Sequence, residues 1–199
     1  MQEVASVRLG LGYAPGVAAT MAALAALVVA QVALAGPQLL GPAEREEMEI
    51  QIFTPLLLLA YAGLIAAHEG LHVAAMRGLG VRVRGVSLVK AGGVLPVALR
   101  VEYEEIDIPR YIAVCLVPQV LTAALLASCA ASAGVVVEGW LFSGPVSFLL
   151  FSFYFVHLLS SAGDIYGVAY TLLKARTLRG VWAAVRSDGS EVYKLYVED

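Results

Sequence analysis

Four apolar runs separated by short polar connections set the plan of this chain. The first is Gly16 to Gly36, an Ala/Val/Leu run whose only strongly polar member is Gln31. The second covers Ile52 to Met76. The third covers Tyr111 to Val137, interrupted by Pro118 and Gln119, and the fourth begins at Trp140 and stays apolar to about Leu173. A helix needs about 20 residues to cross a hydrocarbon layer about 30 Å thick, so each run is long enough to span and the fourth is too long for one straight span. Its break is expected at "SSAGD", residues 160 to 164, where small residues and an acid interrupt the apolar pattern.

After the second and fourth runs the pattern changes to alternation. "VRVRGVSLVK" and "VLPVALRVEY" flank Ala91-Gly92-Gly93, while "VWAAVR" and "EVYKLYV" flank Ser-Asp-Gly-Ser. Alternating segments around turn residues predict two β-hairpins. The expected fold class is therefore an all-α polytopic membrane protein with about four transmembrane helices, the last one broken, plus small cytoplasmic β-hairpins. Residues 1–51 read as an extra N-terminal transmembrane helix with an acidic loop. Residues 52–173 read as the membrane core with a hairpin insert at 81–103, and residues 174–199 as a cytoplasmic tail holding the second hairpin.

Composition strengthens the membrane reading. Hydrophobic residues make up 60% and charged residues 15%, with a mean hydropathy of +0.80, against about 45–50% and about 25% in soluble domains. A net charge of -3 and a pI near 5.6 leave no basic stripe for phosphates, which excludes nucleic acid as a partner. The lipid bilayer and proteins within it are the expected partners. Cys115 and Cys129 share one apolar run, which disfavours a disulfide and makes them packing residues.

"VALAG" offers an Ala-x-Ala cleavage pattern at Ala33 to Ala35. The preceding run, however, exceeds the 7–15 residues of a signal core, and Arg8 alone supplies the basic flank, so the run reads as a retained span. Lys and Arg placement then sets orientation. Arg77, Arg82, Arg84, Lys90 and Arg100 follow the second run, and Lys174, Arg176, Arg179, Arg186 and Lys194 follow the fourth. The connection after the first run has only Arg45 among acids, and the one after the third has no basic residue. Both termini are expected in the cytoplasm.

Against this apolar background stands "LIAAHEGLHVAAM", residues 64 to 76. His68, Glu69 and His72 form H-E-x-x-H. On a helix, residues four apart share a face, so both imidazoles can bind one zinc ion while Glu69 serves as general base toward water. A chance match in a chain this long has a probability on the order of one per cent. Inside a span it is rarer still, because each charged residue costs roughly 2.5–3.5 kcal/mol on insertion scales. A third ligand must come from elsewhere, and the acid or histidine candidates deep in apolar sequence are His157 and Asp164. They are seven residues apart, about two helical turns, so both could face one interior. The alternatives are a helix cap for Asp164 and a hydrogen-bonded core histidine for His157.

The run "HEGLHVAAMRGLGVRVRGVSLVKAGG", residues 68 to 93, resembles the site-2 protease family of intramembrane zinc metalloproteases. "LVPQVLTAAL" resembles the proline-bearing central helix of that core, and "HLLSSAGDIYG" stands where the family has Asn-Leu-Leu and Leu-Asp-Gly elements. The likeness covers roughly residues 52 to 173. The sequence departs from the pattern in having Gly163-Asp164-Ile165 for Leu-Asp-Gly and in lacking the asparagine, where His157 stands. It is similar to a divergent branch, the small zincin peptidases. The resemblance implies His68, His72 and Asp164 as zinc ligands and Glu69 as catalytic base, with a peptide bond in or beside a transmembrane segment as substrate. His157 has no direct counterpart and reads as a residue that orients a ligand or stabilises an oxyanion. Two rival functions are a silent relative that binds membrane clients and a metal transport or sensing protein. Transport would need several sites along a path, and intact Glu69 argues against silence. Substrate identity and oligomeric state have no handle in the sequence.

Overall fold

The computed structural model describes residues 1–8, 14–34, 54–91, 95–135, 145–187 and 190–198. In chain order the elements are strand β1 (Gln2–Arg8), helices α1 (Ala14–Leu34) and α2 (Thr54–Gly78), and strands β2 (Val83–Ala91), β3 (Leu95–Tyr103) and β4 (Glu105–Asp107). Helices α3 (Ile108–Leu116), α4 (Gln119–Val135), α5 (Pro145–Ser160) and α6 (Ala162–Ala175) follow, then strands β5 (Gly180–Ser187) and β6 (Ser190–Val197). The acidic connection after the first run, the Gly92-Gly93 turn and the connection after the third run lie outside the described residues.

Among the described residues, three stretches are long and apolar enough to cross a membrane: Ala14–Gln31, Ile108–Cys129 and Leu149–Ala175. The second and third each contain a helix break. Pro118 has no N–H to continue α3, which ends at Leu116. The fourth run breaks at Ser161, inside the expected segment. There the Ser160 and Ser161 hydroxyls both donate to the His157 carbonyl, at 2.8 and 2.9 Å, beside the Ser161 N–H at 3.0 Å. These side chains satisfy a carbonyl at the helix end, and α6 restarts with Asp164 in its first turn.

The chain forms two compact units. One comprises Met1–Ala18, Glu69–Pro118 and Gly163–Asp199 and carries the sheets. Both expected hairpins are present, β2 with β3 and β5 with β6. The second is the centre of a four-stranded antiparallel sheet ordered β1-β6-β5-β4, so the molecule holds more sheet than the alternation predicts. Ile106, Ile108, Trp182, Leu195 and Val197 from this sheet and α3 share a buried core with Met76, Val81 and Ala175. The Trp182 indole donates to Thr171 Oγ1 at 3.1 Å, and Thr171 in turn donates to the Gly167 carbonyl. Asp107 caps α3 by accepting from the Arg110 N–H at 2.8 Å.

The other unit comprises Ala19–His68 and Gln119–Ala162. Here α4 lies along α5, and Val28, Tyr154 and Leu158 are buried with Leu24, Leu125, Phe151 and Phe155 packed around them. Gln31, the strongly polar residue of the first run, accepts from the Tyr154 hydroxyl at 3.2 Å. Tyr61 meets Phe153 edge-on with ring centroids 5.1 Å apart.

Candidate metal centre

Helix α2 carries His68, Glu69 and His72 within one uninterrupted 25-residue helix. Nothing in Thr54–Gly78 interrupts the backbone ladder, and the helix ends beyond His72 in a well-formed stop. Gly80 adopts φ +72, its N–H reaches the Arg77 carbonyl at 3.1 Å, and the Val81 N–H reaches the Met76 carbonyl at 2.9 Å. This is a Schellman closure, with Met76 and Val81 supplying the apolar contact that accompanies it.

His72 is buried, and its two ring nitrogens face different groups. Nδ1 lies 2.9 Å from the Val114 carbonyl oxygen, to which it donates. That carbonyl is available because residue 118, whose N–H would bond to it in a continuous helix, is proline. The proton on Nδ1 leaves Nε2 with the lone pair, and Nε2 lies 3.2 Å from Asp164 Oδ2. Two lone-pair atoms at this distance repel unless a proton or a metal cation lies between them. The spacing is close to the edge of a zinc tetrahedron, roughly 3.4 Å for bonds of about 2.0–2.2 Å.

His68 stands one turn before His72 on the same helix, so the helix backbone fixes both imidazoles on one face. The ligand atoms of His68, His72 and Asp164 lie within 4.8 Å of one another. Two imidazoles and a carboxylate are a donor set suited to zinc with one position left open. Glu69, half-buried, is the next residue after His68. Each of the proposed ligands thus reaches a common place from α2 and from the first turn of α6.

His157 is fully buried near the end of α5 and is not among the grouped ligand atoms. Its Nε2 lies 3.1 Å from His68 Nδ1, and the two rings meet edge-on at 63°. Its Nδ1 lies 2.8 Å from Thr122 Oγ1. Two participants escaped the sequence reading: the Val114 carbonyl and Thr122. The first had a signal, since a proline in an apolar helix frees the carbonyl four residues before it. Thr122 had a weaker one, as a hydroxyl three residues from Gln119 in a membrane-length helix.

A family model described as "Putative zincin peptidase" matches residues 61–177, a span holding His68, Glu69, His72, His157 and Asp164. Neither comparison with curated proteins nor comparison with solved structures gives a match. The family match covers more than half of the chain, and the chain belongs to this family of zincin-type peptidases.

Proposed function

We propose that the protein is an intramembrane zinc metallopeptidase of the site-2 protease type, hydrolysing peptide bonds in or next to transmembrane segments. The observation that carries this reading is the approach of His72 Nε2, on the helix that also presents His68 and Glu69, to Asp164 Oδ2 of α6 at 3.2 Å. Strand pairing supports the intramembrane part. Strands β1 and β6 are neighbours, as are β4 and β5, so Arg8, Asp107 and Gly180 end on one side of any bilayer. Between β4 and β5 the stretches Ile108–Cys129 and Leu149–Ala175 are each apolar enough to cross, so the chain would go out and return. Between β1 and β4 only Ala14–Gln31 qualifies by apolarity among the described residues, and the return falls to α2. At 25 residues it is about 37 Å long at 1.5 Å per residue, enough to cross. On this reading the helix with H-E-x-x-H is itself a span, the spans number four, and both ends lie on the Lys/Arg-rich side, which the positive-inside rule makes cytoplasmic.

Zinc, when bound, supplies the Lewis acidity that makes water nucleophilic at about pH 7. The chain does the rest. His68, His72 and Asp164 would hold the ion, and the Val114 carbonyl keeps the His72 lone pair on Nε2. Glu69 accepts the proton of the attacking water and can return it to the leaving amine. His72 is five residues before Arg77, so the site lies toward the cytoplasmic end of α2 and water reaches it from there. An unwound substrate segment could add to the two-stranded β2–β3 sheet as a further strand.

The test uses full-length protein in bilayers with a library of transmembrane peptides. Wild type should carry one zinc per chain and cut peptides within or beside their apolar segments. Glu69→Gln keeps size and hydrogen bonding but cannot take the proton. It should retain zinc while losing the roughly 10²–10⁴-fold that general-base catalysis supplies. Zinc-loaded wild type that cuts nothing, or equal cutting by Glu69→Gln, overturns the proposal in favour of a silent client-binding relative.

A further inference from the structure

His72 is oriented by a backbone carbonyl, and His68 meets a directional chain of side chains. Thr122 Oγ1 donates its proton to Gln119 Oε1 at 2.9 Å, one turn back in α4. The same hydroxyl oxygen lies 2.8 Å from His157 Nδ1, and His157 Nε2 lies 3.1 Å from His68 Nδ1. A neutral imidazole donates from one nitrogen and accepts at the other. With its only proton given to Gln119, the Thr122 oxygen must accept from His157 Nδ1–H. His157 Nε2 is then an acceptor and takes the proton of His68 Nδ1–H, which puts the lone pair of His68 on Nε2.

We propose that Gln119 and Thr122 are positioning residues that, through His157, fix the tautomer in which His68 can ligate metal through Nε2. The orientation of one amide decides the matter. If Gln119 presented Nε2 to Thr122, every hydrogen bond in the chain would reverse and His68 would carry its proton on Nε2, the form that cannot bind metal there. The Gln119 Nε2 atom is buried with no hydrogen-bond partner among the described residues. An unsatisfied buried donor is expensive, so the arrangement gives up hydrogen bonding at Nε2 to present Oε1. The ordering of His68 also gives His157, the histidine with no counterpart in the site-2 protease pattern, a defined task. Partners that orient a ligating histidine typically contribute 10–100-fold in metal affinity.

The proposal rests on the zinc site above, and the experiment separates the two. In metal-free full-length protein, long-range ¹H–¹⁵N spectra of the three histidines, assigned by single substitutions, report each ring's tautomer without any metal. Wild type should show His68 protonated on Nδ1. In Thr122→Val, which removes the hydroxyl at nearly constant volume, His68 should become a tautomer mixture. Zinc titrated against a chromophoric chelator should then bind 10–100-fold more weakly, Thr122→Ser should restore wild-type affinity, and Gln119→Met should weaken it to a smaller extent. A wild-type His68 protonated on Nε2, or a Thr122→Val protein with unchanged tautomer and affinity, overturns the relay. Wild type with the expected tautomer but no zinc affinity would leave the relay standing and remove the peptidase reading.

Discussion

Pro118 matters to His72 through the hydrogen bond it does not make. In a continuous helix an N–H at position 118 would occupy the Val114 carbonyl, and the Nδ1–H of His72 would have to share that acceptor. Pro118→Ala restores such an N–H. The expected result is zinc binding weakened about 10-fold, at the low end for loss of a ligand-orienting partner, with helix content by circular dichroism equal or higher. Unchanged zinc affinity would show that His72 does not depend on this carbonyl. At the residue scale, legibility follows sequence distance. His68, Glu69 and His72 could be read because spacing on one helix is a local property, and Asp164 because an acid in an apolar run stands out. The contact of His68 with His157 joins residues 89 apart, and Thr122 in α4 bears on His68 only through His157. Periodicity within a helix says nothing about such pairings.

At the scale of elements, the stop of α2 sets where the motif helix ends and the β2–β3 hairpin begins. Gly80 sits in left-handed backbone at φ +72, and a Cβ there would meet nothing within 4 Å. Gly80→Ala therefore isolates the backbone term from any clash. Chemical denaturation in detergent should show a loss of about 1–2 kcal/mol, with Gly80→Asn losing less because asparagine tolerates this conformation. A neutral Gly80→Ala would mean that the Schellman closure is not a determinant of the fold. The hairpins were legible for the same local reason as the motif, since both strands and the turn lie together in sequence. Strands β1 and β4 were not. β4 has three residues, too few to show alternation, and β1 finds its partner β6 at the opposite end of the chain, so no turn residue announces the pair.

For the whole molecule, the pairing of the first strand with the last ties the two ends together, and this constrains how the chain threads a bilayer. Across that pairing the Lys194 ammonium reaches diagonally to Glu3 at 2.9 Å. The hydrogen bond to Glu3, with its charge, raises the Lys194 ammonium above the ordinary lysine value. A raised lysine stabilises the fold at every pH below its unfolded pKa and loses that contribution only as pH climbs through the folded value. The tie is thus intact throughout the neutral range and weakens in strong alkali. Topology can be measured with single cysteines in a background lacking the half-buried Cys129, using a membrane-impermeant thiol reagent on sealed vesicles. Ser6→Cys in β1, Leu79→Cys just past α2 and Glu198→Cys after β6 should react from the same side. Ala33→Cys, at the far end of α1, should react only from the other side, because 21 residues of α1 span about 31 Å. Leu79→Cys is the decisive member. If it reacts with Ala33→Cys rather than with Ser6→Cys, then α2 does not return the chain across the bilayer and the site on it is not intramembrane. Same-side labelling of Ser6→Cys and Glu198→Cys with Leu79→Cys, and opposite-side labelling of Ala33→Cys, would fix α2 as a span, with His68, Glu69 and His72 inside the bilayer toward the face that carries Arg77.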